Sequence, residues 1–586
     1  MNLDFIPTIE QEQIFSFFHK NNKNGIIDAV AGSGKTTTLV NGIKFISPRS
    51  KILFCAFNRK IKTEIDIKTR SFNNVVVKTT YALGLNILRD NNKVFQNARI
   101  VEDKYIKILA RYLDKTPIND SKQTLIQDAF NKLKDKFDDI KKKEKESKTN
   151  ENNALANEYI NKDEELTFYE IADRNFKQLI SLVRLTLSYG KDEEGIRKIA
   201  EFYGLDINLN DFEEIKFYNI IIKNVISKGI EESLKTGEID YSDMIFLPDY
   251  FKFDSNYKYD VIFVDECQDL SNAQLKIVLK FYNKNGGRIF AVGDPYQSIY
   301  GFAGASPESF NNIKKIILPE TFKLTNCFRS SKSIVALAQE IRADINTNNQ
   351  NVGNVQKIEY NQLFDFTKAG DLVLSRFNKD IVFTFFKLLK NGQSCKILGK
   401  EEIIQDIIEF IPKNRHQNKE FYVNLEYQAE NIFKAYEKKF KDNEEKIMKY
   451  EGIKDIIIFC FYEFHNVTTF SELIIQLRNF LDKDEKDSIT LSSIHKSKGL
   501  EYDTVFILNY PLLPYKPSKG IQKEWQSYQE NCLKYVAITR AKNNLYLVNE
   551  DKNEQDVSSL LKMKYLVEDY IETNNILFDD IEDLPL

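Results

Sequence analysis

The stretch Ala29-Val30-Ala31-Gly32-Ser33-Gly34-Lys35-Thr36 constrains this fold more than any other part of the chain. An apolar run, Gly25-Ile26-Ile27, precedes it, and a helix-like segment, Thr37 to Ile46, follows. Small residues at Ala29, Ala31, Gly32 and Gly34 let backbone N–H groups approach a phosphate chain. Lys35 can reach the β- and γ-phosphates, and the Thr36 hydroxyl can hold Mg²⁺. With Ser33 and Thr37, residues 31–37 form the expected nucleotide cradle. The strict pattern has Gly at its first position, where this chain has Ala29. The loop predicts that a nucleotide binds, and the rest of the chain must say what its energy is used for.

A chain of 586 residues predicts three or four domains, at roughly 150 residues each. With 42% hydrophobic and 29% charged residues, it has ample material for globular cores. The net charge of −3 gives no global basic footprint, so any nucleic acid must be held in a local groove. Six scattered cysteines with no C-x-x-C pair, and only four histidines, argue against a zinc site or a disulfide framework. A reducing interior is the simpler expectation: cytoplasmic, or nucleoid or nuclear. The N-terminus lacks the features of a signal peptide. The longest apolar run, Ile456 to Tyr462, is far short of a membrane span, so no membrane partner is expected.

Residues 1–24 read as a short amphipathic helix. Strands are predicted at 51–57 and 74–80, then at 259–266 and 288–294. A second set follows at 372–377, 394–399, 489–493, 504–509 and 545–548. Strands alternating with helical segments imply parallel sheets with helices on both faces. Two stretches interrupt the pattern and read as helical. The first is polar and includes Lys141-Lys142-Lys143-Glu144-Lys145-Glu146, read as a solvated face or a connection. The acidic end, Asp579 to Leu584, reads as a solvated tail.

Val261-Ile262-Phe263-Val264-Asp265-Glu266 is an apolar strand ending in two carboxylates. Beside a phosphate loop, Asp265 can hold Mg²⁺ through water, and Glu266 can orient and deprotonate an attacking water. Asp265-Glu266-Cys267-Gln268-Asp269 resembles motif II of the superfamily 1 helicases of the UvrD/Rep type. Other motifs of that family follow in order. Gln11 matches a glutamine that reads adenine. Ala56-Phe57-Asn58-Arg59-Lys60 resembles motif Ia, and Thr79-Thr80-Tyr81 stands where the family usually has Thr-x-His. Val292 to Phe302 is similar to motif III, Leu324 to Ser330 to motif IV, Ile494 to Glu501 to motif V, and Tyr535 to Lys542 to motif VI. The resemblance covers residues 8 to 550 or so and leans toward the F-box-helicase-like or phage-like branch.

The resemblance implies two RecA-like P-loop NTPase domains with parallel sheets, each carrying a mostly helical insertion. The first domain is expected over 1–89 and 236–325, with its insertion at 90–235. The second is expected over 326–399 and 488–552, with a short insertion at 400–487 and the acidic tail at 553–586. ATP and Mg²⁺ are the implied cofactors. Hydrolysis needs positive charge at the γ-phosphate, and the match implies that Arg329 and Arg540 join Lys35 there. Gln297 is expected to sense the γ-phosphate, Phe328 to stack on adenine and Glu501 to meet the ribose.

DNA requires a sequence-tolerant grip, with bases stacked on aromatic faces and phosphates held by donors. Tyr300 and Phe302 are the foremost candidates. Phe57, Asn58, Tyr81, Arg376, Asn378 and His495 complete the expected set. Tyr81, Phe302 and Ala303 depart from the family's usual His, Trp and Arg.

The implied activity is an ATP-driven inchworm that moves 3′→5′ on single-stranded DNA and unwinds duplex, in repair, recombination or replication. Two alternatives remain: an RNA or 5′→3′ helicase, and an ATP-gated nucleic-acid-binding subunit of a repair or phage-defence complex without autonomous unwinding. A nuclease or another repair or defence subunit is the kind of protein partner expected. No nuclease-like carboxylate cluster follows residue 550.

Overall fold

The computed structural model describes residues 5–20, 23–56, 58–113, 126–135, 168–205, 207–299, 309–440, 443–482, 487–518, 522 and 524–549. The polybasic run at 141–146 and the expected tail at 553–586 lie outside them. The chain divides into two compact units between Phe328 and Arg329, where the sequence reading sets 325 and 326.

The first unit is built on a parallel sheet of β1 (Gly25–Ala29), β2 (Ile52–Ala56), β3 (Val75–Thr79), β6 (Val261–Val264), β7 (Arg288–Gly293) and β8 (Glu320–Leu324). Their order is β3-β2-β6-β7-β1-β8. β2 and β6 are buried at every position. Such continuous apolar runs suit a parallel strand covered on both faces. One face packs a core that includes Phe18, Phe54 and Phe290, and another core gathers Leu53, Ile262 and Ile277. A small parallel pair, β4 (Arg99–Ile100) and β5 (Glu238–Ile239), marks where the helical insertion leaves and returns.

The insertion contains the helices Lys104–Leu113, Phe168–Leu185, Glu193–Phe202 and Phe212–Thr236. They close on an apolar core that includes Phe176, Ile222 and Val225. A buried charged cluster ties this core to the helix Tyr241–Tyr250. Arg184 donates to Asp240 and Asp243, Lys104 to Asp243, and the Tyr105 hydroxyl to Asp243. The Arg184 guanidinium lies over the Tyr105 ring, 3.9 Å from its centroid. Burial alone pushes the Asp243 carboxyl up, but Lys104 and Arg184 more than reverse this and hold it low.

The second unit repeats the theme with β9 (Asn354–Ile358), β10 (Leu372–Ser375), β11 (Cys395–Leu398), β12 (Ile489–Ser493), β13 (Tyr502–Ile507) and β14 (Ala541–Val548). The order is β11-β12-β10-β13-β14-β9, again all parallel. Its short insertion comprises the helices Lys400–Phe410, Lys419–Val423, Leu425–Lys439, Glu444–Glu463 and Phe470–Leu481. Tyr436, Phe440 and Tyr450 stack there, with Tyr436 and Tyr450 centroids 3.8 Å apart.

β8 and β9 are absent from the sequence reading. Both are edge strands with half-exposed, polar-interrupted sequences, Glu-Thr-Phe-Lys-Leu and Asn-Val-Gln-Lys-Ile. They lack the apolar run that marks an interior strand. All six cysteines are free and buried. Among the described residues, no helix is long and apolar enough to cross a membrane.

Candidate active site

Parallel pairing sets the C-terminal ends of β1, β6, β7 and β8 along one edge of the first sheet. Residues 30–37, 265–268, 294–297 and 325–328 follow those ends directly. Ligands of open parallel sheets bind at this edge, and the first unit brings Lys35, Thr36, Asp265, Glu266, Gln297 and Phe328 to it.

Gly32 and Gly34 have φ of 69° and 75°, a left-handed backbone that a Cβ would strain. The helix Lys35–Gly42 begins at Gly34 with no side-chain cap. Its first N–H groups therefore remain for an anion. Ser33 turns its hydroxyl inward to Val30 O, which shapes the loop. Ala29 is a buried strand residue paired with Leu324, so its methyl packs in the core and does not obstruct the loop. Gln11 is buried: its Nε2 donates to Thr38 Oγ1 at 2.9 Å and its Oε1 accepts from Thr8 N. Phe328 is 53% exposed, and its N–H donates to Gly32 O at 2.9 Å. An aromatic face thus stands beside the loop.

Thr36 Oγ1 donates to Asp265 Oδ2 at 2.6 Å. A hydroxyl and a carboxylate this close form a hard-oxygen pair of the kind Mg²⁺ takes, so these residues fit the metal. Burial, then the neighbouring Glu266, raises the Asp265 carboxyl to about 6. A cation beside it would reverse that penalty.

Glu266 adopts a left-handed backbone, φ 49° and ψ 44°, which is uncommon for a residue with a Cβ. Its Oε2 lies 3.5 Å from Lys35 Nζ and accepts from Gln268 Nε2 at 2.7 Å. Gln268 Oε1 in turn accepts the Asp294 N–H at 3.1 Å. Asp294 Oδ2 accepts from Gln297 Nε2 at 3.0 Å, and Oδ1 from Tyr296 N. A continuous polar path therefore runs from Lys35 to Gln297. Gln268 and Asp294 stand within the motifs of the sequence, but the linear pattern alone assigns neither a role. The available signal was a buried-type strand followed by polar residues that all need partners.

In the second unit the candidates separate to opposite ends of the sheet. Glu501 and Arg540 directly precede Tyr502 and Ala541, which pair at the N-terminal ends of β13 and β14. Arg329 joins them there by donating to Glu501 and to Thr539 O. Arg540 is buried, with its guanidinium donating to Val536 O, Leu500 O and Thr539 Oγ1.

Arg376, Asn378 and His495 follow the C-terminal ends of β10 and β12, at the other end. Arg376 departs from the open cation expected of a DNA contact. Glu530 accepts from its Nη2 at 2.8 Å and from its Nε at 3.1 Å, and Glu445 also pairs with it. Burial, with Arg376 and Lys496 nearby, lowers His495 to about 3, so it is a neutral imidazole and not a cation. Asn378 opens the helix Asn378–Lys390.

Among the first unit's expected DNA contacts, Asn58 caps the helix Arg59–Thr69 by accepting from Ile61 N at 2.9 Å. Tyr81 packs edge-on against Tyr241, with centroids 6.3 Å apart. Tyr241 is 40% exposed, and the sequence reading gives it no contact of its own. Phe57, Tyr300 and Phe302 lie outside the described residues.

Two family profiles match this chain: the UvrD/REP helicase N-terminal domain over residues 9–317, and the UvrD-like helicase C-terminal domain over residues 384–552. Among curated relatives, the ATP-dependent DNA helicase Rep of Buchnera aphidicola is 24% identical, with 93% of this chain and 95% of Rep covered. A probable DNA helicase II homolog of Rickettsia conorii is 22% identical, with 94% of each covered. The F-box DNA helicase protein 1 of Schizosaccharomyces pombe is 23% identical over 89% of this chain, which spans only 55% of that longer protein. With the family's N-terminal domain alone matched over more than half of its length, the chain belongs to the UvrD/Rep family of ATP-dependent DNA helicases.

Proposed function

We propose that this chain is a Mg²⁺-dependent, DNA-stimulated ATPase that moves 3′→5′ on single-stranded DNA and unwinds duplex. The observation that carries the reading is the polar path from Lys35 through Glu266 to Gln297, which starts at the phosphate loop and ends three residues before Tyr300. In this reading Lys35 binds the terminal phosphates. Glu266 accepts the proton of the attacking water, its carboxylate already aimed by Gln268. Thr36 and Asp265 hold Mg²⁺, which when bound neutralises phosphate charge. Phe328 and Gln11 flank the base. Arg329 and Arg540 of the second unit supply further positive charge as the phosphate bond breaks, with Glu501 beside them.

Single-stranded and duplex DNA are the proposed substrates. Service in repair, recombination or replication rests on the family resemblance alone. Strand displacement on 3′- and 5′-tailed DNA and RNA duplexes, with and without ATP, tests the reading. ATP-dependent displacement of the 3′-tailed DNA duplex is expected. Displacement of 5′-tailed substrates alone would overturn the polarity. ATP-dependent DNA binding with no displacement would support the gated-subunit alternative instead.

A further inference from the structure

We infer that Glu10 is a positioning residue for the nucleotide base: it clamps Thr325 and so fixes the arch of chain that presents the Phe328 ring beside the phosphate loop. The inference rests on the reading of Phe328 as the face on which the base stacks.

The helix Ile9–Lys20 runs along β8, in the opposite direction, and three contacts set the register. Lys23, past the helix end, pairs with Glu320 at 2.8 Å. The Phe17 and Phe322 rings have centroids 4.7 Å apart. Glu10 reaches Thr325. From Phe17 to Glu10 a helix rises about 10 Å, and from Phe322 to Thr325 a strand rises about the same. The match brings Glu10 level with the residue that follows β8.

Both oxygens of the Glu10 carboxylate are used on that one residue. Oε2 accepts from the Thr325 N–H at 2.8 Å, and Oε1 from the Thr325 hydroxyl at 2.7 Å. Hydrogen bonds to a charged acceptor are stronger than neutral ones, and a pair of them fixes direction as well as distance. Among the described strands β8 has β1 as its only neighbour, and a sheet edge leaves main-chain donors without a ladder partner. Glu10 supplies the acceptor that a further strand would have given. The helix start that carries it is itself held: Thr8 Oγ1 accepts from Gln11 N, and Gln11 Nε2 donates to Thr38.

Thr325 stands at the foot of an arch that the phosphate loop ties down at both ends. Leu324 O accepts from Val30 N at 2.9 Å, and the Phe328 N–H donates to Gly32 O at 2.9 Å. Phe328 is 53% exposed, so packing gives its ring little support. Its Cδ2 lies 4.0 Å from where a Cβ would stand on Gly34. The ring therefore takes its place from the backbone of residues 324–328, and Glu10 braces that backbone from the helix.

Two ligands that differ in carrying a base separate this role from a general one. Calorimetry on the full chain, with Mg²⁺, measures binding of a non-hydrolysable ATP analogue and of inorganic tripolyphosphate, which has the phosphates alone. The stoichiometry counts folded sites. Glu10→Ala removes both hydrogen bonds. Glu10→Gln keeps two, because the Thr325 hydroxyl can accept from the amide where it donated to the carboxylate.

Glu10→Ala should weaken the ATP analogue about 5- to 20-fold and tripolyphosphate less than about twofold. Glu10→Gln should recover most of that loss. In DNA-stimulated turnover, KM for ATP should rise with the analogue's dissociation constant, while kcat falls less than about threefold. Unchanged affinity for the analogue in Glu10→Ala overturns the inference, and so does an equal loss for both ligands. If Glu10→Ala does not fold, Thr325→Val, which deletes the hydroxyl bond alone, is read in its place, and an unchanged ratio of the two affinities overturns the inference. Phe328→Ala is the separate control. An unchanged ratio there removes the stacking reading itself, whereas a weakened analogue in Phe328→Ala beside an unaffected Glu10→Ala removes the positioning role alone.

Discussion

Arg329 Nε donates to Glu501 Oε2 at 2.6 Å, while Lys542 Nζ holds the other oxygen at 2.9 Å. Two residues with separate expected roles, one at phosphate and one at ribose, are thus paired in the second unit. On the proposed function, Glu501 would aim Arg329 as well as meet a ribose hydroxyl. Arg329→Ala should lower kcat for ATP by about 100-fold, and Glu501→Gln by about tenfold. In the Arg329→Ala background, Glu501→Gln should cost much less, because the aimed group is gone. Additive losses in this double-mutant cycle would show that the two act independently.

Lys35 and Glu266 share one ion pair at 3.5 Å. On the proposed function, Lys35→Ala removes phosphate binding, and Glu266→Gln removes the proton acceptor while keeping the shape. Each should reduce DNA-stimulated turnover by about 100-fold or more. Only Lys35→Ala should also weaken binding of a fluorescent ATP analogue. Equal nucleotide affinity in both variants would contradict these separate roles.

Arg376 lies between Glu530 and Glu445, with Glu530 only 8% exposed. Arg376→Ala leaves a buried carboxylate unpaired and should destabilise the second unit by about 3 kcal/mol. Arg376→Ala with Glu530→Gln should recover a large part of that loss in urea titrations. If instead Arg376→Ala leaves stability unchanged and lowers the salt dependence of DNA binding, its main partner is phosphate.

Asp243 balances Lys104 and Arg184 inside the first unit. Asp243→Asn keeps the shape and leaves one positive charge uncompensated. A loss of about 3–5 kcal/mol is expected from a broken buried pair, read as a lower urea midpoint for that unit. A change under about 0.5 kcal/mol would mean the cluster is hydrated in solution.

Burial raises the Asp371 carboxyl to about 6. The native state therefore holds this proton more tightly than the unfolded chain. The associated stability is fully present below the unfolded value of about 3.8 and is lost as pH rises through about 6. Asp371→Asn, permanently neutral, should be more stable than the parent by about 1–3 kcal/mol at pH 8, and equal to it near pH 3. A gain that does not vary with pH would trace to packing.

Interior strands were legible because they are short apolar runs bounded by polar turns, as in Ile52–Ala56 and Val261–Val264. The loop at Lys35 and the carboxylates at Asp265 and Glu266 were legible for the same reason: each follows such a run at the end where ligands bind. Strands β8 and β9 were not, since polar and charged residues interrupt their apolar runs. Gln268 was visible as a letter, but its role depends on β6 and β7 lying side by side. Arg376 shows the converse limit. Its motif position suggested an open cation, and Glu530, 154 residues later in the chain, takes up the guanidinium.

The strand that carries the phosphate loop, β1, has β7 and β8 as its neighbours, which end at Gly293 and Leu324. During synthesis, β2 and β3 can pair soon after they emerge, but β1 waits for nearly the whole first unit. At about 5–20 residues per second, that wait lasts roughly 15 to 60 s. ATP therefore cannot act as a folding ligand for the nascent N-terminal segment. A fragment ending before Arg288 has a phosphate loop in its sequence and lacks both strands between which β1 is seated.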